Sequence, residues 1–155
     1  ASKGVYLGVT SATAANLLND AETGTWTPAF TSTSATFAYT QQVGSYTKVG
    51  TLVHCEYRLS LSGSPGGTTT NSTFISGLPF TAAAVTNLYY GFHIGHFLNI
   101  NLDSNEQAGI AGQMGSSSTT LELKGLGDNA GEQGIIASQL GSTTEIRGSF
   151  SYRTG

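Results

Sequence analysis

Between Thr51 and Ser62, apolar and polar side chains alternate almost without a break in the segment TLVHCEYRLSLS. Neighbouring side chains of a β-strand point to opposite faces, so this period of two predicts a strand that is buried on one face. The apolar face consists of Val53, Cys55, Tyr57, Leu59 and Leu61. The polar face carries His54, Glu56 and Arg58. No α-helix would keep these two sets apart, and the segment therefore restricts the fold class more than any other.

Two further segments alternate in the same way. In residues 143–153 the apolar positions are Ile146, Phe150 and Tyr152, and in residues 119–124 they are Leu121 and Leu123. The turn-forming sequences between strands are GSPGG (63–67), SGLP (76–79), GDNAG (127–131) and GS (141–142). One-sided strands joined by tight turns form antiparallel sheets that pack face to face. The sequence therefore predicts an all-β fold, an antiparallel β-sandwich of jelly-roll type.

Composition agrees with β structure and argues against several classes of function. Charged residues make up 10% of the chain, and Thr and Ser together supply 40 of its 155 residues. With a net charge of −3 and only six Lys and Arg, we expect no nucleic-acid binding. Nowhere do 18 apolar residues occur together, so we expect no membrane insertion. The single cysteine, Cys55, cannot form an internal disulfide, and its place on the apolar face predicts a buried, unreactive thiol.

Three short motifs follow one another in the first half of the chain, and a further pair precedes them. The three are GTWTP (24–28), GSYTKVG (44–50) and ISGLPFTA (75–82); the preceding pair is GVYLG (4–8) and LLNDAE (17–22). In this order they resemble the C-terminal domains of bacteriophage tail fibres and tailspikes. The resemblance extends from residue 4 to about residue 82 and fades beyond it.

The resemblance implies a component of the virion, made in the bacterial cytoplasm. Residues 1–23 would form a stem leading from the rest of a fibre N-terminal to residue 1, and residues 24–155 a β-sandwich receptor-binding domain. Leu17 and Leu18 fit one short helical turn of that stem. A homotrimer would bind a host surface polysaccharide or lipopolysaccharide without chemistry. The alternative is a structural module that trimerises or caps a fibre, tailspike or capsid appendage, and a glycan depolymerase or esterase is less favoured.

The only tryptophan, Trp26, shares a strand face with Pro28 and Phe30. Proline cannot donate to a β-ladder, so we expect an edge strand here, with Trp26 in the core and not on a sugar-stacking surface. Later in the chain, residues 87–103 (NLYYGFHIGHFLNINLD) are apolar on both strand faces. Such a strand needs two covers, which predicts the sandwich core on one side and a neighbouring subunit on the other. Strand parity places His93 and His96 on opposite faces, which argues against a shared metal.

Acidic and amide side chains gather in two loop-like segments, DSNE (103–106) and DNAGE (128–132). Solvated turns are their ordinary interpretation, and the other interpretations are a Ca²⁺ site, a pair of glycosidase carboxylates, or groups that bind sugar hydroxyls. No spacing fixes a catalytic or metal geometry, so we expect no enzyme activity and no cofactor. Loops at the end of a rigid sandwich away from the stem suit recognition. The predicted ligand-binding residues are Tyr89, Asp103, Asn105, Glu106, Asp128, Asn129 and Glu132.

Overall fold

The computed structural model describes residues 5–6, 17–18, 21–103, 109–127 and 131–155. The strands are β1 (Val5–Tyr6), β2 (Leu17–Leu18), β3 (Ala21–Trp26), β4 (Ala29–Thr31), β5 (Ala35–Thr36), β6 (Tyr39–Val49), β7 (Leu52–Leu61), β8 (Gly66–Gly67), β9 (Phe74–Ser76), β10 (Tyr90–Ile100), β11 (Gly109–Met114), β12 (Leu121–Leu126), β13 (Gln133–Gly134) and β14 (Leu140–Arg153). A 3₁₀ helix spans Ala137–Gln139. In these ranges no helix is long and apolar enough to cross a membrane.

Ten strands form one antiparallel sheet that curls into two facing layers, and nine of them follow one path. The path runs β3-β6-β7-β14-β10-β11-β12-β9-β4, and β13 pairs with β12. β10 belongs to both layers, because its first residues, 90–92, pair with β11 and the rest of the strand pairs with β14. We call β3, β6, β7, β14 and the second part of β10 the long sheet, and the remaining strands of the path the short sheet. The prediction of an all-β, antiparallel sandwich is confirmed.

The core lies between the long and the short sheet. All five residues predicted on the apolar face of β7 are buried, and so are the predicted inward residues of β12 and β14. Ile75 of β9 and Ile135 are fully buried on the side of the short sheet. Burial of one such side chain contributes about 1.5–3 kcal/mol, so the alternation seen in the sequence is what holds the two sheets together.

The chain crosses from one edge of the strand path to the other at Pro28. β3 and β4 are the two ends of the path, and only Thr27 and Pro28 separate them. Trp26 is 7% exposed, and its ring centroid lies 6.2 Å from those of both Tyr57 and Phe150. Its Nε1 donates to the carbonyl oxygens of Ser45 (3.2 Å) and Glu56 (3.3 Å). The predicted core tryptophan on an edge strand is confirmed.

The three motifs that follow one another in the sequence are in contact in the structure. β3 pairs with β6 so that the segment 24–26 lies opposite the segment 44–46. Tyr46 of the second motif packs against Phe80 of the third with ring centroids 5.3 Å apart. Gly77, also in the third motif, has φ 90°, and a Cβ there would lie 2.1 Å from the carbonyl oxygen of Thr27. The motifs therefore form one packed junction beside the crossing at Pro28.

The N-terminal segment differs from the prediction in two respects. Leu17–Leu18 form β2 and pair with β1, so the expected helical turn is wrong. A single helical turn fixes several residues for one hydrogen bond, whereas a second strand offers backbone partners at once. In addition, residues 21–23 were assigned to the stem but belong to β3, where they pair with residues 47–49. The other residues of the first 20 lie outside the described ranges.

Two β-bulges in β10 change which of its side chains share a face. The register with β14 shifts between Ile94 and His96, where Gly95 is the extra residue. It shifts again between Leu98 and Ile100, where Asn99 of β10 stands against the four residues 141–144 of β14.

The first bulge corrects the prediction for the two histidines of this strand. His93 lies opposite Ser149 and His96 opposite Arg147, and these partners are two residues apart on β14. Both histidines therefore lie on the outer face of the long sheet, and the predicted placement on opposite faces is wrong. A period of two does not continue through a bulge.

Candidate functional site

The strand registers define two ends of the sandwich. Ala21, where β3 begins, pairs with Val49, and Val49 pairs with Leu52, which also lies opposite Arg153. This is the stem end. At the other end of the long sheet, Ile100 pairs with Leu140. We call this the far end.

Tyr89 lies at the stem end, apart from the other predicted ligand-binding residues. It directly precedes β10, whereas Asp103 follows the same strand. A strand of this length spans roughly 35 Å, so the two side chains cannot share one small ligand. Tyr89 is 65% exposed and lies beside Gly115, in the turn between β11 and β12.

Of the two acidic segments, the structure describes Asp103, at the far end, and Glu132. Gly109, the first residue of β11, pairs with Leu126, the last residue of β12, so the segments that adjoin them start from neighbouring strand ends. Asp103 is exposed there. Glu132 lies 3.7 Å from Nζ of Lys124 and accepts a hydrogen bond from Nε2 of Gln113 at 3.4 Å. The predicted residues Asn105, Glu106, Asp128 and Asn129 lie outside the described residues.

A polar cleft of about 340 Å³ opens close to Asp103 at the far end. It is lined by Asn99, Ile100, Asn101, Ser138, Gln139 and Gly141. We call it the far-end cleft. The exposed side chains of Asn99, Asn101 and Ser138 offer amide and hydroxyl groups, which are the groups that bind sugar hydroxyls.

The second bulge of β10 forms one wall of the far-end cleft. Asn99 adopts φ 55°, a conformation that Asn tolerates better than most residues. Its Nδ2 donates to Oγ1 of Thr143 at 2.5 Å, and its carbonyl oxygen accepts from Oγ1 of Thr144 at 2.7 Å. Sequence reasoning missed Asn99, Asn101 and Ser138 as site residues. The available signal was Asn99 itself, a turn-favouring residue in an otherwise apolar strand.

A second groove, of about 420 Å³, lies on the outer face of the long sheet. We call it the outer groove. It is lined by Val43, Gly44, Ser45, Glu56, Tyr57, Arg58, His93, Gly95, Arg147, Gly148 and Ser149. These residues come from β6, β7, β14 and β10, and no sequence motif joins them.

Two arginines lie directly opposite each other on neighbouring strands of the outer groove. Arg58 and Arg147 are direct partners on β7 and β14, a position in which like charges repel. Glu145 bridges them, because one carboxylate oxygen accepts from Arg58 Nη2 at 2.9 Å and the other from Arg147. Ser60 Oγ adds a third bond at 2.8 Å. The hydrogen bonds from Arg58 and Ser60 lower the pKa of Glu145 to about 2.

This bridge predicts how stability depends on pH. The pKa of Glu145 in the fold, about 2, lies below its ordinary value of 4.5, so its contribution is complete above pH 4.5 and is lost as pH falls through 2. We expect Glu145→Gln to flatten the fall of the unfolding free energy between these pH values. Denaturant titrations of both proteins from pH 2 to 5 measure this. Ser60→Ala, which removes one bond, should flatten it partly, and parallel profiles for all three proteins would contradict the assignment.

The described residues contain little else with catalytic or metal-binding geometry. Cys55 is fully buried, and burial raises its pKa to about 12, so the predicted buried, unreactive thiol is confirmed. Across the described ranges, no three His, Cys, Asp or Glu side chains are grouped to hold a metal ion.

The comparisons with known proteins identify a shared fold. No protein-family model and no curated protein sequence matches the chain. Among solved structures, the chain is similar to the crystal structure of the Dettilon tailspike protein, with a TM-score of 0.65 and 15% sequence identity. The match covers 86% of this chain and 24% of the tailspike. The chain therefore spans about a quarter of the tailspike's length, and it shares the fold of that part.

Proposed function

We propose that this chain is a module of a bacteriophage tail fibre or tailspike that binds a host cell-surface glycan without chemistry. The observation that carries the proposal is the fold shared with a phage tailspike over 86% of the chain. The order of the motifs in residues 4–82 supports it independently. A virion location follows from the same two observations.

The far-end cleft is the proposed glycan-binding site. The stem end joins the sandwich to what precedes it, so the opposite end is the one directed toward the host. Asn101, Asp103 and Ser138 are all exposed there and supply amide, carboxylate and hydroxyl groups. Of the other predicted residues, Asn105, Glu106, Asp128 and Asn129 lie outside the described residues, and Glu132 contacts Gln113 and Lys124 of the short sheet. Tyr89 is not part of the proposed site.

The proposal includes a homotrimer, in which three weak sites act together. On β10, Leu98 lies opposite Glu145 on the outer face of the long sheet and is 50% exposed, although the sequence there is as apolar as a core strand. A neighbouring subunit would cover it. Sedimentation at micromolar concentration should give the mass of a trimer, and a monomer would remove avidity from the proposal.

The far-end cleft is tested by Asn101→Ala combined with Asp103→Ala. One hydrogen bond contributes a net of about 1 kcal/mol, so we expect binding to each site to weaken about tenfold. Adsorption of the trimer to host cells should fall further. A glycan array of host polysaccharides selects the ligand, and titration measures the change. Tyr89→Ala, at the stem end, is the matched control and should bind normally. Unchanged adsorption by the double variant would argue against the site.

The alternative is a structural module that trimerises or caps a fibre or tailspike. The observation that favours it is that the chain matches only 24% of the tailspike, so host recognition has room elsewhere in a protein of that kind. In that case the isolated chain assembles but binds no glycan on the array. Turnover of host polysaccharide by the isolated chain would favour the third candidate, a depolymerase or esterase.

A further inference from the structure

Among the residues that the structure describes, the outer face of the long sheet carries more basic side chains than acidic ones. Three of the six Lys and Arg and all three histidines lie on it; they are Arg58, Arg147, Arg153, His54, His93 and His96. Of the nine Asp and Glu, this face carries two, Glu56 and Glu145. The chain as a whole has a net charge of −3. An anionic ligand is therefore favoured at this face over the rest of the surface.

The two arginines of the outer groove retain donors for such a ligand. Glu145 supplies one negative charge to two guanidinium groups, and Glu56, which lines the same groove, supplies a second. The side chains of Arg58 and Arg147 stay 45% and 52% exposed in spite of their ion pairs. Each guanidinium has five N–H donors, more than one carboxylate can use. A second carboxylate can therefore form charge-assisted hydrogen bonds with the same pair.

The floor of the outer groove suits a sugar ring. Gly95 leaves the backbone bare there, since a Cβ on it would have no neighbour closer than 3.6 Å. The side chains that Gly44 and Gly148 lack would point into the core. The hydroxyl of Tyr57 lies behind this floor, since a Cβ on Gly148 would be 2.8 Å from it. Within the described residues this buried hydroxyl has no hydrogen-bond partner. Hydroxyl, imidazole and carboxylate groups of Ser45, Ser149, His93 and Glu56 line the same groove.

We propose that the outer groove binds a carboxylate-bearing sugar residue, with the carboxylate held by Arg58 and Arg147 and the ring over Gly95. This site is separate from the far-end cleft. The inference does not depend on glycan binding at the far end.

The probe is trigalacturonate, and its methyl ester is the matched neutral ligand. We expect the full chain to bind the acid at least tenfold more tightly than the ester in a calorimetric titration at low salt. Raising the salt concentration should weaken binding of the acid, because charged contacts at a surface are screened. Equal affinity for acid and ester would overturn the inference.

Two variants locate the binding. Arg147→Gln leaves the Arg58–Glu145 pair in place and should weaken binding of the acid about tenfold. Gly95→Val places a side chain in the groove, and the nearest atoms to its Cβ, in the His93 ring, lie at an ordinary contact distance of 3.6 Å. Gly91→Val is the control, because Gly91 is on the same strand outside the groove with no atom near its Cβ. Thermal melts confirm that all three variants fold.

Loss of binding in Arg147→Gln and Gly95→Val, with normal binding in Gly91→Val, supports the outer groove. If all variants bind equally, the inference is wrong. The double variant Asn101→Ala, Asp103→Ala could instead lose trigalacturonate binding while the groove variants keep it. That result also overturns the inference, but it agrees with the proposed function. Absence of any uronate binding overturns the inference alone, since the glycan array tests the proposed function separately.

Discussion

Replacing Trp26 with alanine is expected to lower the free energy of unfolding by about 3–5 kcal/mol, the range measured for deletion of large buried side chains. The indole ring fills the space between Tyr57 and Phe150, and its Nε1 donates to two backbone carbonyls of neighbouring strands. Truncation leaves a cavity and removes both bonds. Equilibrium denaturation measures the change. Tyr89→Ala, which removes an exposed aromatic ring, is the control and should cost less than about 0.5 kcal/mol.

The opposite result for Trp26 has a clear meaning. If Trp26→Ala melts at the temperature of the wild-type chain and loses only glycan affinity, the indole is a sugar platform and not part of the core.

Gly77→Ala is expected to destabilise the fold by about 2–5 kcal/mol, because two penalties coincide. Its φ of 90° is strained for any residue with a Cβ, and that Cβ would overlap the carbonyl oxygen of Thr27 at 2.1 Å. Gly50→Ala separates the two penalties, since Gly50 has φ 57° but no atom near its Cβ. It should cost about 1 kcal/mol. Equal losses in the two variants would show that the overlap with Thr27 relaxes at little cost.

Much of the sandwich could be predicted because its best strands are regular. In β7 the alternation from Val53 to Leu61 continues without interruption, and every inward position is buried. Trp26 could be placed because Pro28 marks a strand edge and Phe30 shares its face. In both cases the residues that the local pattern predicts to be buried are the ones that pack in the core. The sequence alone was therefore sufficient for these predictions.

β10 shows where such reasoning ends. The positions of its bulges depend on how the strand pairs with β14, more than 40 residues away in the sequence. Gly95 and Asn99 permit bulges but do not require them. Once the first bulge shifts the register, His96 moves to the face of His93, and no count along the strand alone could show this.

The candidate sites were predictable only in part, for the same reason. The separation of Tyr89 from Asp103 follows from the positions of the two residues at opposite ends of β10. The outer groove combines residues of four strands. In the sequence, its charged and polar residues look like ordinary solvent-facing positions. Only the strand register shows that Arg58, Arg147 and Gly95 lie in one groove.

The pairing of β3 with β6 has a mechanical consequence. β3 begins at Ala21, at the stem end, and runs toward the far end beside β6, with six paired positions from Ala21 to Trp26. A pull between the stem and a bound far end acts along the axis of this strand. The hydrogen bonds at the six positions are then loaded together in shear. The buried indole of Trp26, at the last residue of β3, resists displacement of the strand.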